Sequence, residues 1–358
     1  MKIGFSINGQ GRGHLTRILA LAERMADESN SIPTRFHHES FEPVFWCPEK
    51  YHREIRDSFP EANMFSIPYY RIVMDGNRVD VLRTGISNAE HFSSLPAYTS
   101  EIADQLRLAH IDAVVSDFEP FAARAAMRLD IPVIQLNHPG VVLKSPSLLP
   151  DALIAKAVAL GMMGEYHEKI ISSFYHGDVG PIIRKELRDT IPIRGDYYVV
   201  YLHEVMREKI YRYLESYSPI PFHVFPDTSR DFAEYLAGCR GVITNAGHQL
   251  LSETLHLGKA CFSFPLEGQY EQRLNARMIE ASGRGISAAA NNLFSRLDHF
   301  FRCTEDAEKI AAPYAEGFEQ TIEADEEVRP PSSFILHDDS LRAARLVHSI
   351  VQRRRAAS

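Results

Sequence analysis

The sequence predicts an α/β protein made of two doubly wound parallel-sheet domains. Three observations carry this reading. Short apolar runs alternate with helical stretches, the alternation begins afresh after residue 190, and 358 residues exceed what one hydrophobic core usually organises.

Taken in order, the runs Lys2–Ile7, Val44–Cys47, Ala113–Val115 and Val133–Leu136 read as strands of a parallel sheet covered on both faces, where apolar residues run on without alternating. Leu15, Ile18, Leu19, Ala22 and Met25 share one helical face, so a helix follows the first strand directly. In the second half, Tyr197–Leu202, Phe222–Phe225, Gly241–Thr244 and Ala260–Phe264 repeat the strand pattern. Gly177, Gly180, Pro181, Pro192 and Gly195 punctuate the chain between the halves, giving domains over 1–180 and 190–337. An acidic stretch ending at Glu326-Glu327, then Arg329-Pro330-Pro331-Ser332-Ser333, reads as a surface connection. It leads to a last helix within 339–358, expected to pack back on the first domain.

Composition narrows the function. With 45% apolar and 24% charged residues the chain is an ordinary globular protein. A net charge of −8 argues against general nucleic-acid binding, and Arg353-Arg354-Arg355 is only a local basic run. Cys47, Cys239, Cys261 and Cys303 form no C-x-x-C pair, and Met1-Lys2-Ile3 enters a strand without a signal-peptide pattern, so a cytoplasmic location is expected. No apolar run approaches the roughly 20 residues of a spanning helix, which limits any expected membrane contact to the periphery.

The stretch INGQGRGHLTR, residues 7–17, turns from the first strand into the first helix with Gly9, Gly11 and Gly13. Its G-x-G-x-G spacing differs from the G-x-G-x-x-G of dinucleotide sites. Glycines here let another group approach the backbone, and His14 at the mouth of the turn supplies a side chain that exchanges protons near neutral pH. Asp117 follows a buried strand at the carboxyl end, where open α/β sheets place ligands. If its strand lies beside the first, Asp117 can orient the His14 imidazole; the alternative is that Asp117 caps the helix holding Phe121–Met127.

A third stretch, residues 241–276, ends a strand at Thr244, turns through Asn245-Ala246-Gly247 and enters a helix that stops at Gly258. The backbone N–H groups of His248 and Gln249 suit a diphosphate. Glu253, Glu271 and Gln272 offer groups for sugar hydroxyls, or else Glu253 and Gln272 are solvated helix positions.

Together these segments resemble the inverting nucleotide-sugar glycosyltransferases of the GT-B fold, in their MurG-type and UDP-glucuronosyl or plant-type branches. The likeness rests on the glycine turn ending in His14, on Asp117, on the A-G-x-x-x-x-S-E run Ala246–Glu253, and on Glu271-Gln272-x-x-Asn275-Ala276, which is similar to a plant-type D-Q-x-x-N-A. It implies two Rossmann-like domains facing across a cleft, with His14 as base and Asp117 orienting it. The donor would be a nucleoside-diphosphate sugar, UDP-linked first of all, held by Asn245 to Gln249, Glu253, Glu271 and Gln272. The donor is a substrate, so no cofactor is implied, and the acceptor is a hydroxyl, on a lipid or a glycan. A 2-epimerase of the same fold and a non-catalytic nucleotide-sugar-binding module share these features.

The chain departs from the pattern at three points. Asn245 stands where the plant-type enzymes have a phosphate-contacting His, and Leu250 where a hydroxyl residue is common. Tyr201-Leu202-His203-Glu204-Val205 stands where the family often has a Gly/Ser-rich turn, so that either His203 substitutes there or the pocket is narrower. No D-x-D triplet occurs, so a metal-free displacement is expected. Residues 148–163, the most apolar segment, form either a buried helix or a wall for a lipid or terpenoid acceptor.

Overall fold

In a computed structural model, residues 1–31, 40–217, 221–305 and 330–356 are described. The connection expected at Glu326-Glu327 and Arg329 therefore lies outside the described residues.

The first sheet contains β1 (Lys2–Ile7), β2 (Glu42–Cys47), β3 (Asn63–Ser66), β4 (Ala113–Asp117), β5 (Val133–Asn137) and β6 (Glu168–Ile171). All are parallel, in the order β3-β2-β1-β4-β5-β6. The second sheet contains β7 (Tyr198–Tyr201), β8 (Phe222–Phe225), β9 (Gly241–Thr244), β10 (Ala260–Ser263) and β11 (Gly285–Ser287), parallel and ordered β8-β7-β9-β10-β11. Both orders reverse direction once, and ligands of such sheets bind outside the strand ends at that reversal. In the first sheet the reversal falls between β1 and β4; in the second, between β7 and β9.

Continuous apolar strands arise because both faces are covered. Phe45 and Cys47 of β2 join a core with Phe5 and Val115, whereas Val44 and Trp46 point into a second core with Val114 and Phe121. The helices that matter for the site are α1 (Gly13–Ser31), α2 (Pro120–Arg128), α3 (Pro150–Met163), α4 (His248–His256), α5 (Tyr270–Ala281) and α6 (Ser340–Arg355). Ile18, Leu21, Ala22 and Met25 of α1 pack against Ala343, Ala344, Val347, Ile350 and Val351 of α6, so the last helix completes the first domain's core. Asp339 anchors its start by accepting from the Gly180 N–H at 2.7 Å.

The two halves share a further core, in which Val141, Ile171, Phe174 and Tyr175 meet Leu251, Tyr270, Leu274 and Met278. Helix α3 stands at this border, tied to α5 by an Asp151–Arg273 ion pair at 2.7 Å. It is not simply a buried helix: Ala152, Ala159 and Met163 face inward, while Leu153, Ile154, Val158 and Leu160 are exposed.

Candidate functional site

The loop after β1 is held from several sides. Tyr51 donates its hydroxyl hydrogen to the carbonyls of Gly9 and Gly11, and the Lys50 ammonium donates to the Gly9 carbonyl at 2.7 Å. Gly9 lies flat against the Tyr69 ring, so that a Cβ there would come within 2.3 Å of Tyr69 Cγ. Gly11 has φ +80°, which glycine adopts without strain. Asn8 joins this loop to the one after β4, donating to the Phe118 carbonyl at 2.7 Å and accepting from the Gln10 N–H at 2.7 Å.

Because β1 and β4 pair with Ile7 opposite Asp117, the first turn of α1 and the end of β4 must meet. His14 Nδ1 lies 2.8 Å from Asp117 Oδ1. Arg17, one turn further along α1, donates Nε to Asp117 Oδ2 at 2.8 Å and brings Nη2 within 3.4 Å of Oδ1. With Nδ1–H donated to Asp117, the His14 Nε2 lone pair is free, and it has no hydrogen-bond partner among the described residues. Asp117 is fully buried. Burial alone would raise its pKa, but the charges and hydrogen bonds of Arg17 and His14 outweigh that and hold it below the ordinary carboxylate value. The Phe118 ring stacks near His14 at 6.2 Å, and Phe118 itself has φ +57°, a conformation that costs energy in a non-glycine residue. Asp117 does not cap α2; Glu119 does, accepting from the Phe121 and Ala122 N–H groups at 2.6 and 2.8 Å.

In the second domain, α4 starts at His248 after Gly247, and no side chain caps it. The N–H groups of His248, Gln249 and Leu250 have no acceptor among the described residues, as expected of an uncapped helix start. Ala246 before it has φ +60°, a counterpart to Phe118 on the opposite sheet. The two helix starts touch: a Cβ on Gly13 would sit 3.2 Å from Gln249 Cβ. Glu271, the first acidic residue of α5, interacts electrostatically with His14, Arg17 and Asp117, and its pKa is raised chiefly by burial.

Other residues that the sequence assigns to donor binding have different occupations. Asn245 accepts from the His203 N–H and donates to the Phe264 carbonyl at 2.8 Å, so its side chain ties strand ends together. His203 itself is exposed and contributes through that backbone N–H. Glu253 is completely buried, with its two oxygens gripped by Arg184 at 2.8 and 2.9 Å, and therefore does not face the cleft. Gln249 donates to Glu253 and to the Ile182 carbonyl, both at 3.0 Å, and Gln272 accepts from the Leu266 N–H at 2.9 Å. A carboxylate or amide fixed by such bonds inside the protein is satisfied without a ligand.

The buried centre of the interface is polar. His138, from the loop after β5, stacks on His248 with ring centroids 3.5 Å apart and planes 12° apart. Asn275 Oδ1 accepts from Tyr175 at 2.5 Å and pairs with His138 Nε2 at 2.9 Å, while its Nδ2 donates to the Ala246 carbonyl at 3.1 Å. Asn275→Leu keeps the branched shape but strands three buried groups, each costing roughly 1–3 kcal/mol. Denaturant unfolding should therefore show a loss of about 3 kcal/mol or more; a change below about 1 kcal/mol would mean that the bridge carries no stability.

Sequence reasoning missed Arg17, Arg184 and His138. Arg17 was within reach, since a residue three positions after His14 shares its helix face. Arg184 and Glu253 are 69 residues apart, and His138 and Asn275 are 137 apart, with no local pattern joining either pair.

A family model described as Glycosyl transferase family 1 matches residues 1–303. No curated relative matches the chain. Among solved structures, it is similar to the glycotransferase of kitacinnamycin, at 14% identity over 97% of this chain and 98% of that one, with a TM-score of 0.57. It is also similar to Phytolacca americana UGT2 complexed with UDP-2-fluoro-glucose and pterostilbene, at 16% identity over 87% and 92% with a TM-score of 0.58. A UDP-glucosyltransferase from Polygonum tinctorium, capable of glucosylating indoxyl, gives 15% identity over 98% of both chains and a TM-score of 0.57. At such identities the likeness is one of fold, and that fold is GT-B.

Proposed function

The chain belongs to glycosyl transferase family 1, and on that premise we propose that this glycosyltransferase moves a sugar from a nucleoside-diphosphate sugar, foremost a UDP-sugar, to an acceptor hydroxyl with inversion and without a metal. The observation that carries the proposal is the His14–Asp117 contact at 2.8 Å, set at the reversal of the first sheet with Nε2 left free.

In this reading His14 Nε2 removes the acceptor hydroxyl proton as the oxygen attacks the anomeric carbon. The bond from that carbon to the diphosphate oxygen breaks, and its electron pair leaves with the diphosphate. Attack opposite the leaving group inverts the configuration. Asp117 fixes the tautomer and offsets the charge gained by the imidazole, and Arg17 positions Asp117 from its other side. The N–H groups of His248 and Gln249, facing α1, would receive the developing negative charge. Fully buried Glu253 acts here through Arg184 and Gln249 rather than as a direct hydroxyl contact.

Incubation with candidate sugar nucleotides and product analysis tests the proposal: a glycosylated acceptor supports it, whereas an epimerised donor or unchanged ligand rejects it. Activity should also persist after exhaustive treatment with EDTA. Loss of turnover that Mg²⁺ or Mn²⁺ restores would show the metal-free mechanism to be wrong.

A further inference from the structure

Beyond the ends of β2 and β3, a cavity of about 320 Å³ opens beside the His14 loop. Its wall includes Lys50, Ile67, Tyr69, Arg71 and His91, and the carboxylate lining it is Glu49. Tyr69 forms both this wall and the support for Gly9, so the cavity and the loop carrying His14 are two sides of one layer. The Lys50 ammonium lies 4.2 Å above the Tyr69 ring and the Arg71 guanidinium 5.7 Å from it. Neither cation has a carboxylate within ion-pair distance among the described residues. His91 Nδ1 is buried there with no hydrogen-bond partner.

Lys50 and Arg71 thus converge on a space bounded also by apolar Ile67, and Lys50 spends one of its hydrogens on the Gly9 carbonyl. Lys50 and Arg71 are exposed at its mouth, and a pocket of this size with a few convergent polar groups is suited to a small ligand. We propose that this cavity binds the acceptor, and that the acceptor carries a carboxylate or phosphate group paired with Lys50 and Arg71. The inference rests on the glycosyl-transfer reading and adds the acceptor's charge to it. Guanidinium and ammonium groups bind both anions by charge-assisted hydrogen bonds, while Ile67 and Tyr69 receive the ligand's apolar body.

Ligand-observed NMR titrations of the full chain with benzoate and phenyl phosphate, against the neutral isostere benzamide, test this directly. At least one anion should bind at least tenfold more tightly than benzamide, and which one separates a carboxylate from a phosphate ligand. Arg71→Gln, an exposed position with no hydrogen bond to lose, should weaken the anion at least tenfold; Lys50→Gln should do likewise, and Glu49→Gln should tighten it. Equal binding of benzamide, no binding of either anion, or unchanged anion affinity in Arg71→Gln would overturn the proposal. So would inorganic phosphate binding as tightly as phenyl phosphate, because the apolar wall would then contribute nothing. UDP titrated into the same samples keeps the two readings apart. UDP binding without anion preference rejects the charged acceptor alone, and anion binding without UDP rejects nucleotide-sugar transfer while leaving the pocket.

Discussion

His14→Ala is expected to reduce turnover at least about a hundredfold while nucleoside-diphosphate affinity stays nearly unchanged. Removing a positioned general base usually costs 10²–10⁴ in rate, about 3–5 kcal/mol of barrier. The imidazole is placed for that task by Asp117 at 2.8 Å, on the first turn of α1, while the uncapped start of α4 lies against that turn. Asp117→Asn should act in the same direction, since an amide can present the wrong partner to Nδ1 and leaves Arg17 facing no charge. The double variant should lose much less than the product of the two single losses, because both changes disable one unit. Thermal melting alongside kinetics separates a rate effect from the stability cost of an unpaired Arg17. If His14→Ala keeps its turnover and instead loses diphosphate affinity, the glycine loop is a phosphate cradle and the base lies elsewhere.

Why that pair was legible is a matter of parallel-sheet geometry. A turn after one buried strand and an acidic residue ending another must meet when the strands are neighbours, and β1 and β4 are. Central strands were equally plain, because Phe5, Val44 or Ile243 have no exposed face to interrupt an apolar run. Edge strands were less so: Phe222–Phe225 was plain, but β3 begins at Asn63 and β6 at Glu168, both polar positions that solvent tolerates, and β11 spans only Gly285–Ser287. Glu253 shows the deeper difficulty. Its place in the helix was read correctly, yet whether a carboxylate meets a ligand or an arginine depends on a residue from the interdomain connection, Arg184, which periodicity does not bring near. Asn245 and Gln272 illustrate the same point, as both spend their amides on backbone groups of neighbouring loops.

Acidification below the ordinary histidine pKa should loosen the contact between the two domains. His138 and His248 are stacked and buried at its centre, with Tyr175 edge-on and Phe174 parallel to His248. Burial is the main cause that lowers both pKa values. Arg17 adds to it for both, as does His138 for His248, while Asn275 and Asp117 only partly oppose it at His138. Glu271, 3.8 Å from His138, is a carboxylate that would favour a proton there, but burial outweighs it. A histidine held neutral by folding contributes stability above its ordinary pKa and loses it as pH falls towards the lowered one. For His138 that window runs from 6.5 down to about 3. Near pH 4.5 the loss from this residue alone is roughly 3 kcal/mol, at about 1.4 kcal/mol per pH unit. His248 changes stability in the same direction, so the pair exceeds either alone. Denaturant unfolding at about pH 7.5 and 4.5 should therefore show a fall in wild type that is smaller in His248→Phe, which keeps an aromatic ring against Phe174 but has no proton to gain. Small-angle scattering at the lower pH should show a larger radius of gyration for wild type than for the variant. Equal pH dependence in the two proteins would mean that protonation of this stack does not control how the domains hold together.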